Sequence, residues 1–400
     1  MRIKLIYPSI IFKNKRRIRI KSKGKKGFFP PLNLCTLAAL TPEDVEVHLS
    51  DENNSDIDFK DKVDLVGITS MTGTAPRMYQ LADTYRDMGV PVVLGGSHVS
   101  ALPEEALQHA DAVVVGEAER TWPELVRNFQ SGKMKQIYKG EQLPDLCSLP
   151  QPSRNLLKPK GYYYSNTVQT TRGCPFDCSF CSVTKMFGGK YRFRPVGEVL
   201  DEIANLGGLN IIGFTDDNIM ANKNRSMELF EGLKKLKIVW GGQATIFNLD
   251  DRELLSAAYE SGCRALFLGL ESTSKDSLAD ANKTRINNPD RYLEIIEKLH
   301  KQKIRTLGSF VFGFDNDTES VFEETVKFAK KANLTLAQFS VLTPFPGTDL
   351  YHKLEAEKRI FTKDWSKYYQ GEVVYHPAKM SAETLRKGQK WAWDKFYQHR

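Results

Sequence analysis

The first 130 residues alternate short apolar runs with amphipathic stretches. Runs at 3–7, 45–49, 65–69, 92–94 and 112–115 are bounded by turn residues and predict strands. Segments 32–40, 75–88, 103–109 and 118–129 have the look of helices. Short apolar strands separated by helices predict a parallel sheet covered on both faces, an α/β doubly wound domain over 1–130. Ligands of such sheets lie beyond the carboxyl ends of the strands. From 131 to 167 the periodicity weakens, and Pro144, Pro150, Pro152 and Pro159 interrupt it. That stretch reads as a linker ending in the aromatic run 162–164. Alternation returns at 168, with strands predicted at 168–171, 211–214, 242–246, 265–270, 306–312 and 336–342. Helical patterns follow them at 196–206, 225–236, 250–261, 289–302, 318–332 and 348–358. The tail, 359–400, is rich in Trp and Tyr and reads as a small C-terminal capping subdomain.

Charge sharpens this picture in one place. The net charge of +8 is concentrated at the start: residues 1–26 hold 11 Lys and Arg and no acid, leaving 46 basic against 49 acidic side chains elsewhere. The dense part, 13–26, reads either as a solvated loop or as a contact for anionic lipid or a phosphate-bearing ligand. No aromatic residues are interleaved there to stack on bases, so nucleic acid is not an expected partner. No apolar run reaches transmembrane length and no signal-peptide cleavage site is evident, which predicts a cytoplasmic protein. Aromatic packing is the plain reading of the tail, and peripheral membrane contact the sharper one.

Three of the six cysteines, Cys174, Cys178 and Cys181, fall within eight residues. Three thiolates cannot complete a tetrahedral zinc site, and Cys147 and Cys263 lie far off in sequence. A 4Fe-4S cluster normally takes four cysteines, so a C-x3-C-x2-C loop points to a cluster with one iron left open. This spacing, with Phe180 before the third cysteine, resembles that of the radical S-adenosylmethionine (SAM) enzymes. The resemblance implies that SAM chelates the open iron and that residues 168–358 form a partial (β/α)6 barrel.

Other segments carry the same resemblance. The acidic turn at 215–218 implies Asp216 and Asp217 as partners of SAM's ammonium, and the strand end at 269–272 implies Glu271 as partner of the ribose hydroxyls. Ser309 in 308–313 and Thr343 in 343–348 are implied to flank the adenosine, with Phe180 beside the adenine. Gln243 points to the same cavity if strand alternation holds. Upstream, the strand ends at 67–72, 95–98 and 116–119 and the segment 31–40 are similar to the cobalamin-binding domain that precedes the barrel in many of these enzymes. The implied cobalamin contacts are Ser70, Met71, Thr72, Gly95, Gly96, Ser97, His98, Gly116 and Glu117. The D-x-H-x-x-G motif that supplies a lower ligand to cobalt is absent, and His98 is the nearby imidazole.

Taken together these features resemble the branch that contains the hopanoid methylases. The resemblance implies a C-methyltransferase that moves a methyl group from SAM through methylcobalamin to an unactivated carbon, after a 5'-deoxyadenosyl radical has taken hydrogen. A lipid substrate suits the basic segment and the aromatic tail, a peptide or small-molecule metabolite stays open, and an electron donor such as flavodoxin or ferredoxin is expected. Two alternatives stay open: ring formation or rearrangement without methyl transfer, and a non-catalytic scaffold that keeps the fold.

Overall fold

The computed structural model describes residues 1–10, 27–157, 161–207 and 210–398, so the basic segment 13–26 lies outside the described residues. The chain divides into two compact units. The first holds Met1–Thr167 with Lys185–Gly188 and Asp364–Ser366; the second holds the remainder.

The first unit is a six-stranded sheet. In chain order it comprises β1 (Arg2–Tyr7), α1 (Leu32–Leu40), β2 (Glu46–Asp51), β3 (Leu65–Thr69), α2 (Ala75–Asp87) and β4 (Val92–Gly95). Then come α3 (Ser97–Ala101), α4 (Pro103–Ala106), β5 (Ala112–Val115), α5 (Thr121–Gln130) and β6 (Ile137–Lys139). The spatial order is β2-β1-β3-β4-β5-β6, with every neighbouring pair parallel. Strand order therefore reverses between β1 and β3, the position at which doubly wound sheets open a crevice for ligand. One face packs Ile3, Leu5, Leu65, Val93 and Val114 against Leu34, Trp122 and Leu125.

Residues 131–167 are not a free linker. β6 extends the sheet at Val113↔Ile137, and the irregular chain beyond it folds back onto the same unit. Ser153 N donates to Cys35 O at 3.0 Å, and the buried Tyr162 donates its hydroxyl to Asp51 Oδ2 at 2.8 Å. The prolines end regular structure there, but they do not prevent an irregular segment from packing.

From there the chain runs through β7 (Thr167–Val168), β8 (Thr171–Arg172), α6 (Val183–Phe187), β9 (Arg192–Phe193), α7 (Val196–Ala204), β10 (Ile211–Phe214) and α8 (Lys223–Leu236). It continues through β11 (Val239–Ala244), α9 (Arg252–Glu260), β12 (Cys263–Glu271), α10 (Lys275–Asp280), α11 (Tyr292–Lys301) and β13 (Arg305–Phe312). It ends with α12 (Ser320–Lys331), β14 (Leu336–Val341), α13 (Asp349–Ala356) and α14 (Ala382–Tyr397). The sheet order β14-β13-β12-β11-β10-β7 steps once along the chain, as a partial barrel of successive strand–helix units requires.

Residues 367–400 group with the second unit, where α14 covers the edge strand β14. Trp393 Nε1 and Gln389 Nε2 donate to Phe339 O at 2.8 and 2.9 Å, and the Tyr397 hydroxyl donates to Ala337 O at 2.9 Å. An uncovered edge would leave those carbonyls unpaired, so the aromatic helix packs its rings while its polar tips close the ladder.

The turn after β13 is tied by a buried carboxylate. Asp317 accepts from Ser277 Oγ at 2.6 Å and from the backbone N–H groups of Gly313 and Phe314 at 2.8 and 3.1 Å. Burial nevertheless pushes its carboxyl up to about 6. The native state then takes up this proton before the unfolded chain does, so the group's contribution is present below about pH 4 and lost as pH rises through about 6. Asp317→Asn should therefore gain about 2–3 kcal/mol on the parent between pH 4 and pH 7.5. Urea unfolding of both proteins at the two pH values checks this, and parallel pH profiles would refute it.

Candidate active site

The chain leaves the second sheet early. Val168 pairs inside it, but Thr171 and Arg172 form a two-stranded ribbon with Phe193 and Arg192, splitting the single strand predicted at 168–171. The cause is Asp216, which accepts from both the N–H and the hydroxyl of Thr170 at 3.0 and 2.9 Å and so turns the backbone outward. Residues 173–191, including all three clustered cysteines, form the excursion that this ribbon closes.

That excursion is stapled to the unit by backbone groups. Ser179 N donates to Ala281 O at 3.1 Å and Leu350 N donates to Ser179 O at 2.8 Å, while within the loop Cys181 N donates to Cys178 O at 3.0 Å. The Thr184 hydroxyl donates to Cys174 O and Phe176 O at 3.1 and 2.8 Å. Asn282 Nδ2 reaches Asp177 O at 2.8 Å. The thiols are free of disulfides, Cys178 being buried and the other two half-buried. Burial pushes Cys178 up to about 12 and Cys181 up to about 11, and the ammonium of Lys283 opposes it at both. The Tyr191 hydroxyl bonds to Cys174 and accepts from Asn218 Nδ2 at 3.3 Å.

This donor set fits an iron–sulfur cluster. The cysteines share one loop, and their thiolates would face a buried ammonium and a tyrosine hydroxyl, both suited to negative sulfur. Among the described residues no three His, Cys, Asp or Glu side chains converge on a single metal ion. A cluster presents a different iron to each cysteine and needs no such convergence.

The residues expected around SAM divide. Asp216 is buried against β8, its pKa raised by burial, with Thr171 and Thr170 opposing; it shapes the turn and does not face the cysteines. Asp217, next in the chain, lies within electrostatic reach of Cys174 and Cys181. Burial, with Asp216 beside it, pushes Asp217 up to about 6. Gln243 Nε2 holds Asp217 O at 3.3 Å. Glu271 closes β12 in a left-handed conformation, φ 59°, and is buried in an ion pair with Lys283. Ser309 is buried on β13, Thr343 donates its hydroxyl to Val341 O at 3.0 Å, and Phe180 meets Phe314 edge to face at 6.2 Å. Lys283 and Tyr191 belong to no motif and carry no sequence signal of a role here.

In the first unit the turns after β3, β4 and β5 are linked. Ser70 N donates to Gly95 O at 3.1 Å. Ser100 Oγ donates to Gly96 O at 2.8 Å and accepts from Gly116 N at 2.9 Å. Gly96, at φ 103°, has no room for a side chain: a Cβ would stand 2.3 Å from Ser70 O. Gly116, φ 83°, faces open space. Ser70 is buried and, among the described residues, its hydroxyl has no partner. A backbone cradle with an unsatisfied buried hydroxyl fits the polar tail of a large cofactor. Met71 is exposed, Thr72 and Glu117 are buried, and Ser97 opens α3.

His98 does not fit its expected role. It is fully buried, with Nε2 on Glu105 Oε1 at 3.1 Å and Nδ1 toward Thr72 Oγ1 at 3.4 Å. Both ring nitrogens are engaged, so His98 supports the turn at Thr72 from inside. Glu105, absent from the expected set, gathers Tyr79 and Trp365 as well, at 2.8 and 3.0 Å.

Comparison with known proteins agrees with both units. A radical SAM superfamily model matches residues 168–329, and a B12 binding domain model matches 25–126. Bacteriochlorophyllide d C-12(1)-methyltransferase of Chlorobaculum tepidum is 35% identical over 89% of this chain and 80% of its own. The C-8(2)-methyltransferase of the same organism is 34% identical over 88% of this chain and 83% of its own. The radical SAM methyltransferase TsrM from Kitasatospora setae, solved with cobalamin and a 4Fe-4S cluster, superposes with a TM-score of 0.69 over 89% of this chain and 75% of that one, at 16% identity. At that identity the likeness is one of fold.

Proposed function

Since the chain belongs to the cobalamin-dependent radical SAM methyltransferase family, we propose that it methylates an unactivated carbon of a small-molecule substrate. It is an enzyme of methyl transfer that uses a 4Fe-4S cluster, SAM and cobalamin, and it acts on a small molecule with the help of a reductant. The observation that carries the proposal is the loop of three free cysteines beside Asp217 and Glu271, in a chain that also holds a separate corrin-type unit.

When bound, the cofactors supply the hard chemistry: an electron, a hydrogen-abstracting radical and a transferable methyl group. The chain's residues hold and orient them. Cys174, Cys178 and Cys181 hold the cluster, and their number leaves one iron for SAM. Asp217, rather than Asp216, accepts from SAM's ammonium. Glu271 accepts from the ribose hydroxyls, while Phe180, Ser309 and Thr343 wall the adenosine. Ser70, Gly96 and Gly116 receive cobalamin, with Met71, Thr72, Gly95, Ser97 and Glu117 completing those turns. Fixing these groups in a dry site aligns the reacting atoms before any bond breaks.

A flavodoxin or ferredoxin suits the need for a low-potential electron. The setting proposed is the cytoplasm, where thiols stay reduced. Among the described residues no helix is long and apolar enough to cross a membrane. A lipid is kept as one substrate class, with tetrapyrroles like those of the Chlorobaculum relatives as the other.

The test is anaerobic reconstitution with cobalamin and methyl-labelled SAM in a small-molecule cell extract, read by mass spectrometry. One new species carrying the intact label is expected. Deoxyadenosine formed without label in any product would overturn methyl transfer in favour of rearrangement. Failure to take up iron and sulfide would overturn the enzyme itself.

A further inference from the structure

Lys283 is an unusual residue to bury. Its exposure is 8%, it pairs with the equally buried Glu271, and it donates to Gly269 O at 3.3 Å. Withdrawing an ammonium and a carboxylate from water costs several kcal/mol per ion, and one contact rarely returns that. The surroundings are nevertheless built for the pair. A Cβ on Gly269 would come within 2.7 Å of Glu271 Oε1 and 3.1 Å of Lys283 Nζ, so the glycine makes the room. Glu271 and Asn282 both hold left-handed backbone, φ 59° and 53°, which aims the two ends of the pair.

The segment carrying Lys283 is also bonded to the cysteine loop on both sides of Cys178. Asn282 Nδ2 donates to Asp177 O at 2.8 Å, and Ala281 O accepts from Ser179 N at 3.1 Å. The ion pair with Glu271 and the bond to Gly269 O hold the side chain in place as an ammonium. The lysine thus has a second reason to be positive: the thiolates that hold iron need a counter-charge.

We propose that Lys283 is a positioning residue that holds a fixed positive charge against the iron–sulfur cluster and raises its reduction potential, with Glu271 as the opposing charge. The inference rests on Cys174, Cys178 and Cys181 holding the cluster. Reduction adds negative charge to the cluster, and a neighbouring cation favours that form while a neighbouring anion disfavours it.

The experiment is a potentiometric titration, followed by electron paramagnetic resonance, of the reconstituted protein without SAM. Lys283→Met is expected to lower the reduced-to-oxidised ratio at a fixed poise about tenfold, a negative shift of about 59 mV for a one-electron couple. Glu271→Gln is expected to shift the potential the opposite way, and Lys283→Arg to restore the parent value. Opposite signs are what a charge effect requires and what loosened packing would not produce. Equal potentials in all four proteins, or shifts of one sign in both Lys283→Met and Glu271→Gln, overturn the proposal. Should Lys283→Met hold no cluster, Glu271→Gln and Lys283→Arg still decide. A parent protein that holds no cluster would instead overturn the cysteine assignment.

Discussion

Cys178→Ala should yield a folded protein that assembles no stable 4Fe-4S cluster and cleaves no SAM. The excursion that carries the three cysteines is held by bonds that do not use the thiol: Ser179 N to Ala281 O, Leu350 N to Ser179 O, and Thr184 Oγ1 to two carbonyls. Loss of one buried sulfur should cost only about 1 kcal/mol of stability. Loss of one of three cluster ligands leaves two irons without a protein thiolate. The expected readings after anaerobic reconstitution are an iron content near that of untreated protein, no charge-transfer absorbance in the visible, and deoxyadenosine at background. An unaltered spectrum with continued SAM cleavage would remove these cysteines from the mechanism.

The second large effect belongs to the first unit. Gly96→Ala should cost about 2–4 kcal/mol and abolish cobalamin binding, because two independent penalties fall on one methyl group. At φ 103° and ψ −178° the residue lies where essentially only glycine is at ease. The new Cβ would stand 2.3 Å from Ser70 O and 2.8 Å from Ser70 N, and backbone cannot step aside as a flexible side chain can. The turn after β3 would have to move, taking with it the buried Ser70 hydroxyl. Gly116→Ala is the control: the backbone is strained at φ 83° but the space is open, so a smaller loss of stability is expected. Urea unfolding midpoints and the absorbance of retained cobalamin distinguish the two. Equal cobalamin retention in parent and Gly96→Ala would show that this turn does not hold the corrin.

Much of the architecture was legible because it depends on local pattern. Fully apolar runs such as 65–68 mark strands buried on both faces, and their spacing by helices allows only a parallel sheet. β6 gives no such signal, because three residues, Ile137–Lys139, carry no period. The tail was recognised as aromatic packing, but its role as an edge cover depends on Phe339 and Ala337 offering carbonyls more than 50 residues away.

The site shows the same division. Three cysteines within eight residues must share one loop whatever the fold, so the cluster loop could be read directly. Asp216 and Asp217 could not be told apart, since successive residues in a turn have no fixed alternation. The packing of Thr170 decided that Asp216 points inward, while Asp217 lies within electrostatic reach of Cys174. His98 stood in a promising place, and Glu105 and Thr72 decided that its nitrogens are spent inside the unit.

By itself, then, the sequence determined which residues lie on one loop, which strands are buried and in what order the two units follow. Short-range covalent connection and hydrophobic period suffice for those. Only the tertiary structure decided which charges meet. Asn282, beside Lys283 in the chain, stands 105 residues from Asp177, whose carbonyl it bonds next to Cys178. A buried ion is placed by partners brought together by the fold, and no local pattern announces them.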